Sequence, residues 1–134
     1  MVVLDLFSGA GGLSEGFFRI GASFVGHIES DKYACETLKT RTAYWNLKKN
    51  NNIKVYYDYL LHKISKQDLW QKEKVLDLQE VIHKEISYTT FNDLVRIIKN
   101  NLKAKKAKSV DVIIGGPPCQ AYSIIGRAIM KKNI

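Results

Sequence analysis

The stretch Val110-Asp111-Val112-Ile113-Ile114-Gly115-Gly116-Pro117-Pro118-Cys119-Gln120 joins an apolar run to an abrupt stop. The run Val110–Ile114 predicts a buried strand, because β-branched side chains pack well in sheets and the glycines and prolines end the run. Proline fixes its own φ and restricts the residue before it, so Pro117 and Pro118 leave Cys119 little freedom. We therefore expect a rigid turn that presents a thiol at the carboxyl edge of a strand, where open α/β sheets place their chemistry.

A second informative stretch lies near the start of the chain. The run Val2-Val3-Leu4-Asp5-Leu6-Phe7 predicts a strand, and Ser8-Gly9-Ala10-Gly11-Gly12 follows it as a glycine-rich turn. Apolar residues then recur with helical spacing at Leu13, Phe17, Phe18 and Ile20. A strand, glycine loop and helix in this order let the backbone approach a ligand closely and aim free N–H groups at its anionic end. The spacing of the glycines matches neither the dinucleotide-binding motif nor the Walker motif, which argues against NAD and ATP as the ligand.

The two stretches together closely resemble the cytosine-C5 DNA methyltransferases. The matching residues are Asp5-Leu6-Phe7-Ser8-Gly9-Ala10-Gly11-Gly12 and Gly116-Pro117-Pro118-Cys119-Gln120-Ala121-Tyr122-Ser123, in the family's order. The resemblance implies the α/β, Rossmann-like fold of S-adenosylmethionine-dependent methyltransferases, with three layers and a mostly parallel sheet. It covers the first half of the family's catalytic domain. We therefore expect residues 1–134 to form a C-terminally incomplete catalytic domain, with an insertion at about 45–108 and no target-recognition domain.

The resemblance also implies a reaction and a set of site residues. Cytosine C5 is a poor nucleophile, and addition of the Cys119 thiolate at C6 pushes electron density onto it, so that C5 can take a methyl group from S-adenosyl-L-methionine. The partner is double-stranded DNA whose target cytosine is flipped out of the stack. The residues implied in cofactor binding are Phe7, Ser8, Gly9, Ala10, Gly11, Gly12, Leu13, Glu29, Ser30, Glu85, Ile86 and Pro117. Those implied in DNA contacts are Gln120, Ser123 and Arg127.

An acid ends the second predicted strand, Ser23-Phe24-Val25-Gly26-His27-Ile28-Glu29. In doubly wound nucleoside-binding folds, an acid at this position accepts hydrogen bonds from ribose hydroxyls. The alternative is that Glu29 merely opens the next helix, where a carboxylate offsets the dipole, but Asp31 is better placed for that. Ser30 replaces a bulkier side chain of the family, so we expect weaker stacking on the adenine from that side.

The position of the acid that the family has in its third motif is open between two residues. The segment Glu80–Ile86 predicts a strand, and a helix with apolar residues at Phe91, Leu94, Val95, Ile98 and Leu102 follows it. That order favours Glu85 where the family has an acid that binds the adenine amino group. Asp58 is the competitor, and a plain helix over Val75–Ile86 is the alternative to a strand.

The segments between these motifs give weaker signals. A helix is predicted from about Asp31 to Tyr44, with Cys35 off its main apolar positions and without chemistry. The segment Ile53–Tyr59 fits a strand or the start of a helix, and short amphipathic pieces are expected at 68–70 and 75–78. We expect the rings of Trp45, Tyr56, Tyr57, Tyr59 and Trp70 to cover a core rather than to stack on bases.

Composition narrows the class of protein. The 134 residues allow one domain, and 21 Lys and Arg against 13 Asp and Glu give a net charge of +8, which favours a polyanionic partner such as nucleic acid. Two cysteines make no disulfide framework, and the three histidines show no metal-ligand spacing, so no metal is expected. No apolar run approaches the length of a membrane span, and a reducing cytoplasm fits a free Cys119.

These observations favour a restriction-modification DNA (cytosine-5-)-methyltransferase, truncated or one half of a split enzyme. The family's Glu-Asn-Val segment, its Arg-rich segment and its recognition domain lie outside residues 1–134, so we expect a second polypeptide to carry them and the isolated chain to be inactive. An incomplete sheet also favours self-association. The alternatives are a tRNA cytosine-5 methyltransferase and a non-catalytic cofactor- or DNA-binding fragment.

Overall fold

The computed structural model describes residues 1–72 and 79–118 of the chain. Four strands lie in these ranges: β1 (Val2–Leu6), β2 (Ser23–Glu29), β3 (Val81–His83) and β4 (Val112–Gly115). Five helices accompany them: α1 (Ser14–Arg19), α2 (Lys32–Lys49), α3 (Lys54–Leu60), α4 (Lys66–Lys72) and α5 (Phe91–Ala104). In this part of the chain, no helix is long and apolar enough to cross a membrane.

The strands form one parallel sheet in the order β3-β2-β1-β4. Parallel strands place their carboxyl ends at the same edge, so the ends of all four strands converge there. These ends are Leu6, Glu29, His83 and Gly115. The result confirms the α/β, Rossmann-like methyltransferase fold with a parallel sheet, and it gathers the two informative stretches of sequence at one edge.

Helices cover both faces of the sheet at β2, which is buried without interruption from Phe24 to Ile28. On one face, α5 packs Leu94 against a cluster formed by Leu4, Val25, Ile28 and Ile82. The side chain of Asn101 on the same helix donates to the buried carbonyl of Val25 at 2.8 Å. On the other face, α2 packs Cys35 and Leu38 against Val81. The expectation that β4 is also a buried strand is wrong among the described residues, since β4 lies at the edge of the sheet and 63% of Ile113 is exposed.

Two expectations about α2 are wrong. The helix runs to Lys49 instead of ending near Tyr44, because its last turns are covered by α4: Ala43 and Leu47 pack against the fully buried Leu69. Cys35 is not off the apolar face, since only 3% of it is exposed and it packs into the core.

The segment between α2 and β3 is helical where the structure describes it. The choice between strand and helix for Ile53–Tyr59 is settled by α3, and the amphipathic piece expected at 68–70 lies in α4. The piece expected at 75–78 falls on residues outside the described ranges. The side chains of Tyr56, Tyr59 and Trp70 pack on the cluster around Leu69, as expected for core aromatics, whereas Tyr57 is exposed.

Strands β3 and β4 are shorter than their apolar runs. The strand expected over Glu80–Ile86 is confirmed at Val81–His83, which excludes a helix through those residues. Strand β4 begins at Val112 rather than at Val110, because the side chain of Asp111, and not a backbone carbonyl, binds the N–H of Val2. The Asp111 carboxylate accepts from the Val2 N–H at 2.7 Å, and the Asp111 N–H donates to the Val2 carbonyl at 2.9 Å.

Candidate functional site

The loop between β1 and α1 is held in an unusual backbone conformation. Gly9 and Gly11 have φ of +54° and +84°, and Phe7 has φ of +54° although it is not glycine. Ser8 fixes the loop to both neighbouring strands: its hydroxyl donates to the carbonyl of Asp5 at 3.0 Å, and its N–H donates to the carbonyl of Ile28 at 3.1 Å. A strained non-glycine residue that the surrounding hydrogen bonds hold in place is typical of functional loops.

The glycines of this loop serve different purposes. A Cβ on Gly11 would lie 2.8 Å from Cδ2 of Leu38 and 3.2 Å from Cδ of Arg41, so glycine is required for α2 to pack against the loop. A Cβ on Gly9 or on Gly12 would meet nothing within 4 Å. These two positions therefore leave open space beside the backbone, as a cradle for a ligand requires.

Glu29, at the end of β2, accepts hydrogen bonds from three backbone N–H groups in two segments of the chain. Its Oε2 accepts from the N–H of Gly9 at 2.7 Å, and its Oε1 accepts from the N–H groups of Ser30 and Asp31, both at 2.8 Å. Partial burial raises the pKa of the Glu29 carboxyl, but the N–H groups of Asp31, Gly9 and Ser30 together outweigh this effect, and the net pKa lies below the ordinary value. Glu29 is thus a carboxylate that joins the ends of β1 and β2.

Asp31 rather than Glu29 caps the next helix, as expected. Its Oδ1 accepts from the N–H of Ala34 at 2.7 Å at the start of α2. Between the two acids, Ser30 is exposed, and its carbonyl lies 2.9 Å from Nε2 of His83 at the end of β3. The turn after β2 is therefore fixed to β1, to α2 and to β3.

The segment after β3 places Glu85 and Ile86 at the same edge of the sheet. Glu85 is exposed, and its carbonyl accepts from the hydroxyl of Thr90 at 2.6 Å. A cavity of ≈ 540 Å³ opens beside it, lined by Ile86, Ser87, Tyr88, Phe91 and Asn92. Asp58, the competing acid, lies within α3 and pairs with Lys63 at 3.6 Å.

The end of β4 completes the edge. A Cβ on Gly115 would lie 2.5 Å from the carbonyl oxygen of Leu6, so glycine allows β4 to approach β1 at this point. Gly116, Pro117 and Pro118 follow it and are exposed. Cys119, Gln120, Ser123 and Arg127 lie outside the described residues.

Two polar groupings under the loop were missed by sequence reasoning. Asp5 and His27 are completely buried cross-strand neighbours, with Oδ2 and Nδ1 3.2 Å apart. Glu15 on α1 accepts from Nη1 of Arg41 and from Nε1 of Trp45, both at 3.1 Å, and so fixes α1 to α2. An acid and a histidine inside otherwise apolar strands were the signal for the first pair.

Comparisons with known proteins show which family the chain is similar to. The family model for C-5 cytosine-specific DNA methylases matches residues 1–69 and 57–133. The type II methyltransferase M.Bpa9945I of Bacillus paralicheniformis is 38% identical over 151 residues, which cover 100% of this chain and 34% of the relative. The type II methyltransferase M1.HphI of Haemophilus parahaemolyticus is 29% identical, over 95% of this chain and 23% of the relative.

A third relative, the putative type II methyltransferase M.OihORF3336P of Oceanobacillus iheyensis, is 34% identical over 96% of this chain and 20% of its own length. The chain thus spans about a third or less of the curated relatives named here. No solved structure matches it.

Proposed function

The chain belongs to the C-5 cytosine-specific DNA methylase family, and we propose that it is the cofactor-binding, nucleophile-bearing part of a restriction-modification DNA (cytosine-5-)-methyltransferase. The observation that carries this proposal is the bond from the Gly9 N–H to the carboxylate of Glu29 at 2.7 Å. It brings the glycine loop of β1 and the acid of β2 together at the carboxyl edge of a parallel sheet, which is where such folds bind nucleosides.

The glycine loop at residues 8–12 and the carboxylate of Glu29 form a cradle that suits S-adenosyl-L-methionine. An ionised carboxylate offers about four acceptor sites. Oε2 of Glu29 accepts only from Gly9 among the described residues, so it retains capacity for a ribose hydroxyl. The open backbone at Gly9 and Gly12 leaves room for the rest of the cofactor. We place the adenine toward Ile86 and Pro117, which follow β3 and β4 at the same edge.

Within this site, Glu85 is the better candidate for the acid of the family's third motif. It follows β3 by two residues, next to the turn that carries Glu29, whereas Asp58 belongs to α3 and is already paired with a lysine. Among the described residues, the extra elements between α2 and β3 are α3 and α4, since β3 belongs to the sheet and α5 covers it. We therefore propose that the insertion is confined to the segment before β3.

Cys119 is the proposed catalytic residue. It follows Gly116–Pro118, directly after the end of β4. Its thiolate adds to C6 of a flipped cytosine, which makes C5 nucleophilic. The cofactor, when bound, supplies an electrophilic methyl group on a sulfonium. Once C5 carries the methyl group, Cys119 would be regenerated by elimination: a base such as water takes the C5 proton, the C5=C6 double bond forms again, and the C6–S bond breaks to release the thiolate.

The partner in this proposal is double-stranded DNA. The net charge of +8 supports attraction to a polyanion, and we place Gln120, Ser123 and Arg127 against the DNA that surrounds the flipped base. We propose that the segments beyond the region matched here hold the cytosine ring and read the sequence, whether they lie on the same chain or on a second polypeptide. The chain alone is then expected to bind cofactor weakly and to methylate little. We expect the enzyme to work in the cytoplasm.

A thermal-shift titration tests the cofactor assignment. S-adenosylmethionine should raise the unfolding midpoint of the 134-residue chain, because a ligand at about 100 times its Kd stabilises the folded state by about 2.7 kcal/mol. Glu29→Gln should reduce the shift, whereas Glu36→Gln, which changes a carboxylate on the side of α2, should not. No shift at millimolar concentrations of the cofactor would remove the basis of the proposal.

A covalent-trapping assay separates the enzyme from a binding fragment. With an extract or partner that supplies the remaining segments, the chain should form a denaturant-stable adduct with DNA that contains 5-fluorocytosine, and Cys119→Ala should not. Binding of DNA with no adduct from either form would favour the non-catalytic fragment. Methylation of tRNA in preference to duplex DNA would favour the tRNA enzyme.

A further inference from the structure

We propose that the amino edge of the sheet, where its strands begin, binds the phosphate backbone of a DNA segment other than the one that holds the target cytosine. This inference rests on the proposed function, since it names DNA as the partner. It begins from an uneven distribution of charge in the part of the chain that the structure describes. Lysines and arginines gather where the helices end, which is the amino edge, whereas several acids lie where the strands end.

A cavity of ≈ 480 Å³ lies at this amino edge. It opens beside Ser23, the first residue of β2, and the carboxyl-terminal ends of α1, α2 and α5 meet around it. Glu80 also lines it, but this acid is buried and paired with Lys105. The basic residues in the lining come from all three helix ends and are Arg19, Lys48, Lys49 and Lys105.

The positive charge continues beyond the cavity. Lys103, Lys106 and Lys108 lie at the end of α5 and in the turn after it, and all three are exposed. Besides Glu80, the acid at this edge is Asp111, whose carboxylate accepts from the Val2 N–H at 2.7 Å. In the described part of the chain, seven Lys and Arg thus outnumber two acids at the amino edge.

The stability of the helices does not account for so many charges. The carboxyl-terminal end of a helix acts as about half a negative elementary charge, which one lysine in the last turn offsets. Helix α2 ends with Lys48 and Lys49, and four lysines fall within residues 103–108 at the end of α5. Like charges this close repel one another, so their clustering costs stability. A cluster of this kind is typical of a surface that contacts nucleic acid.

One of these charges is held in position by an aromatic ring. Nζ of Lys48 lies 4.9 Å from the centre of the Trp45 ring, and Nε1 of Trp45 donates to Glu15 at 3.1 Å. The fixed ring therefore keeps the ammonium group beside the cavity. A side chain that is already positioned loses less conformational entropy when it binds a phosphate. Lysine meets phosphate as a point charge, so we expect no reading of sequence here.

The carboxyl edge has a different charge and is too far away to share the same DNA contacts. Its acids and bases are Glu29, Asp31, Glu85 and Asp93 with Lys32 and Lys84. Helix α2 has 18 residues, so Lys32 at its start and Lys49 at its end are about 25 Å apart. That distance is about three times the Debye length at physiological ionic strength. The lysines of the amino edge therefore need a DNA segment of their own.

The test measures binding of a short DNA duplex to the 134-residue chain by fluorescence anisotropy at several salt concentrations. Two variants have the same net charge. Lys48→Gln with Lys49→Gln removes two charges from the amino edge, and Lys32→Gln with Lys84→Gln removes two from the carboxyl edge. Each lost phosphate contact lowers the slope of log K against log salt by about 0.9. The amino-edge variant should lower the slope by up to about 1.8, and the carboxyl-edge variant should leave it unchanged.

A second amino-edge variant, Lys103→Gln with Lys106→Gln, should lower the slope in the same way. The four amino-edge side chains are exposed, so both variants should keep the fold and the thermal shift with S-adenosylmethionine. Equal slopes for the amino-edge and carboxyl-edge variants, or no binding of the duplex by the unaltered chain, would overturn the inference. Tighter binding of polyglutamate than of the duplex would overturn it in favour of an acidic protein. Loss of both the cofactor shift and the Cys119 adduct in the unaltered chain would instead count against the proposed function.

Discussion

Gly11 offers a sharp test of how the cradle is built. Its φ of +84° is rarely adopted by residues with a side chain, and an added Cβ would lie 2.8 Å from Cδ2 of Leu38. Gly9 shares the positive φ, at +54°, but its Cβ would meet nothing within 4 Å. Gly12 has neither constraint. Alanine at these positions therefore separates backbone strain from steric contact.

The expected costs follow from these differences. A left-handed backbone conformation costs alanine about 1–2 kcal/mol relative to glycine, which is the whole effect expected for Gly9→Ala. Gly11→Ala carries the same strain and also crowds Leu38 and Arg41, and overpacking of this kind costs about 1–3 kcal/mol more. We expect a total loss of about 2–5 kcal/mol at Gly11. Gly12→Ala should lie near zero or stabilise slightly, because alanine lowers the entropy of the unfolded chain.

Urea unfolding followed by far-ultraviolet circular dichroism measures all three changes. The difference between Gly11→Ala and Gly9→Ala isolates the contact with α2, and it corresponds to a change of about 5-fold to 150-fold in the unfolding equilibrium. Equal stability of the two variants would refute the argument that Gly11 is needed for α2 to reach the loop. A large loss in Gly12→Ala would refute the claim that the space beside it is open.

Three further predictions concern the edges of this site. Gly115→Ala should separate the ends of β1 and β4, because its Cβ would lie 2.5 Å from the carbonyl oxygen of Leu6. Hydrogen exchange of the β4 amides should then accelerate. Gly116→Ala is the control: its Cβ would meet nothing within 4 Å, so exchange should be unchanged. Because the folded pKa of Glu29 lies below its ordinary value of 4.5, its contribution to stability is present above that pH and is lost as the pH falls through the folded pKa. Glu29→Gln should accordingly lose less stability than the unaltered chain between about pH 6 and about pH 3, and equal losses would contradict this. Burial, and to a smaller extent the nearby Glu29 carboxylate, raises the pKa of the Cys35 thiol to about 11. Iodoacetamide at about pH 8 should therefore alkylate Cys35 only after denaturation, which mass spectrometry of the Cys35 peptide will measure.

The parts of the fold that were predicted correctly depend on local signals. Strand β2 has the bounds that its apolar run and flanking residues indicate, and Asp31 caps α2 as its position suggests. The end of α2 could not be found this way, because Ala43 and Leu47 are buried by Leu69, which lies more than twenty residues further along the chain. Contacts between distant segments decide such boundaries.

In the candidate site, too, the sequence predicts the local features but not those that depend on contacts between distant segments. The loop and the acid were visible as motifs, but the engagement of Glu29 by the N–H of Gly9 depends on two strand ends meeting. The buried pair depends on an irregularity: the register shifts between Val3 and Leu4, which places Asp5 opposite His27 instead of opposite Gly26. Gly26 inside the β2 run is a sequence signal for a bulge, but it does not tell which residues of β1 then lie opposite each other.

The central position of β1 has a consequence for biosynthesis. Its partner on one side, β2, begins at Ser23, within twenty residues of the end of β1, but Val2 bonds to Asp111 across a separation of 109 residues on the side of β4. At roughly 5–20 residues per second, a ribosome needs roughly 5 to 20 seconds to supply that partner. During this interval the nascent chain exposes an unpaired strand edge, and such an edge invites aggregation unless a chaperone covers it.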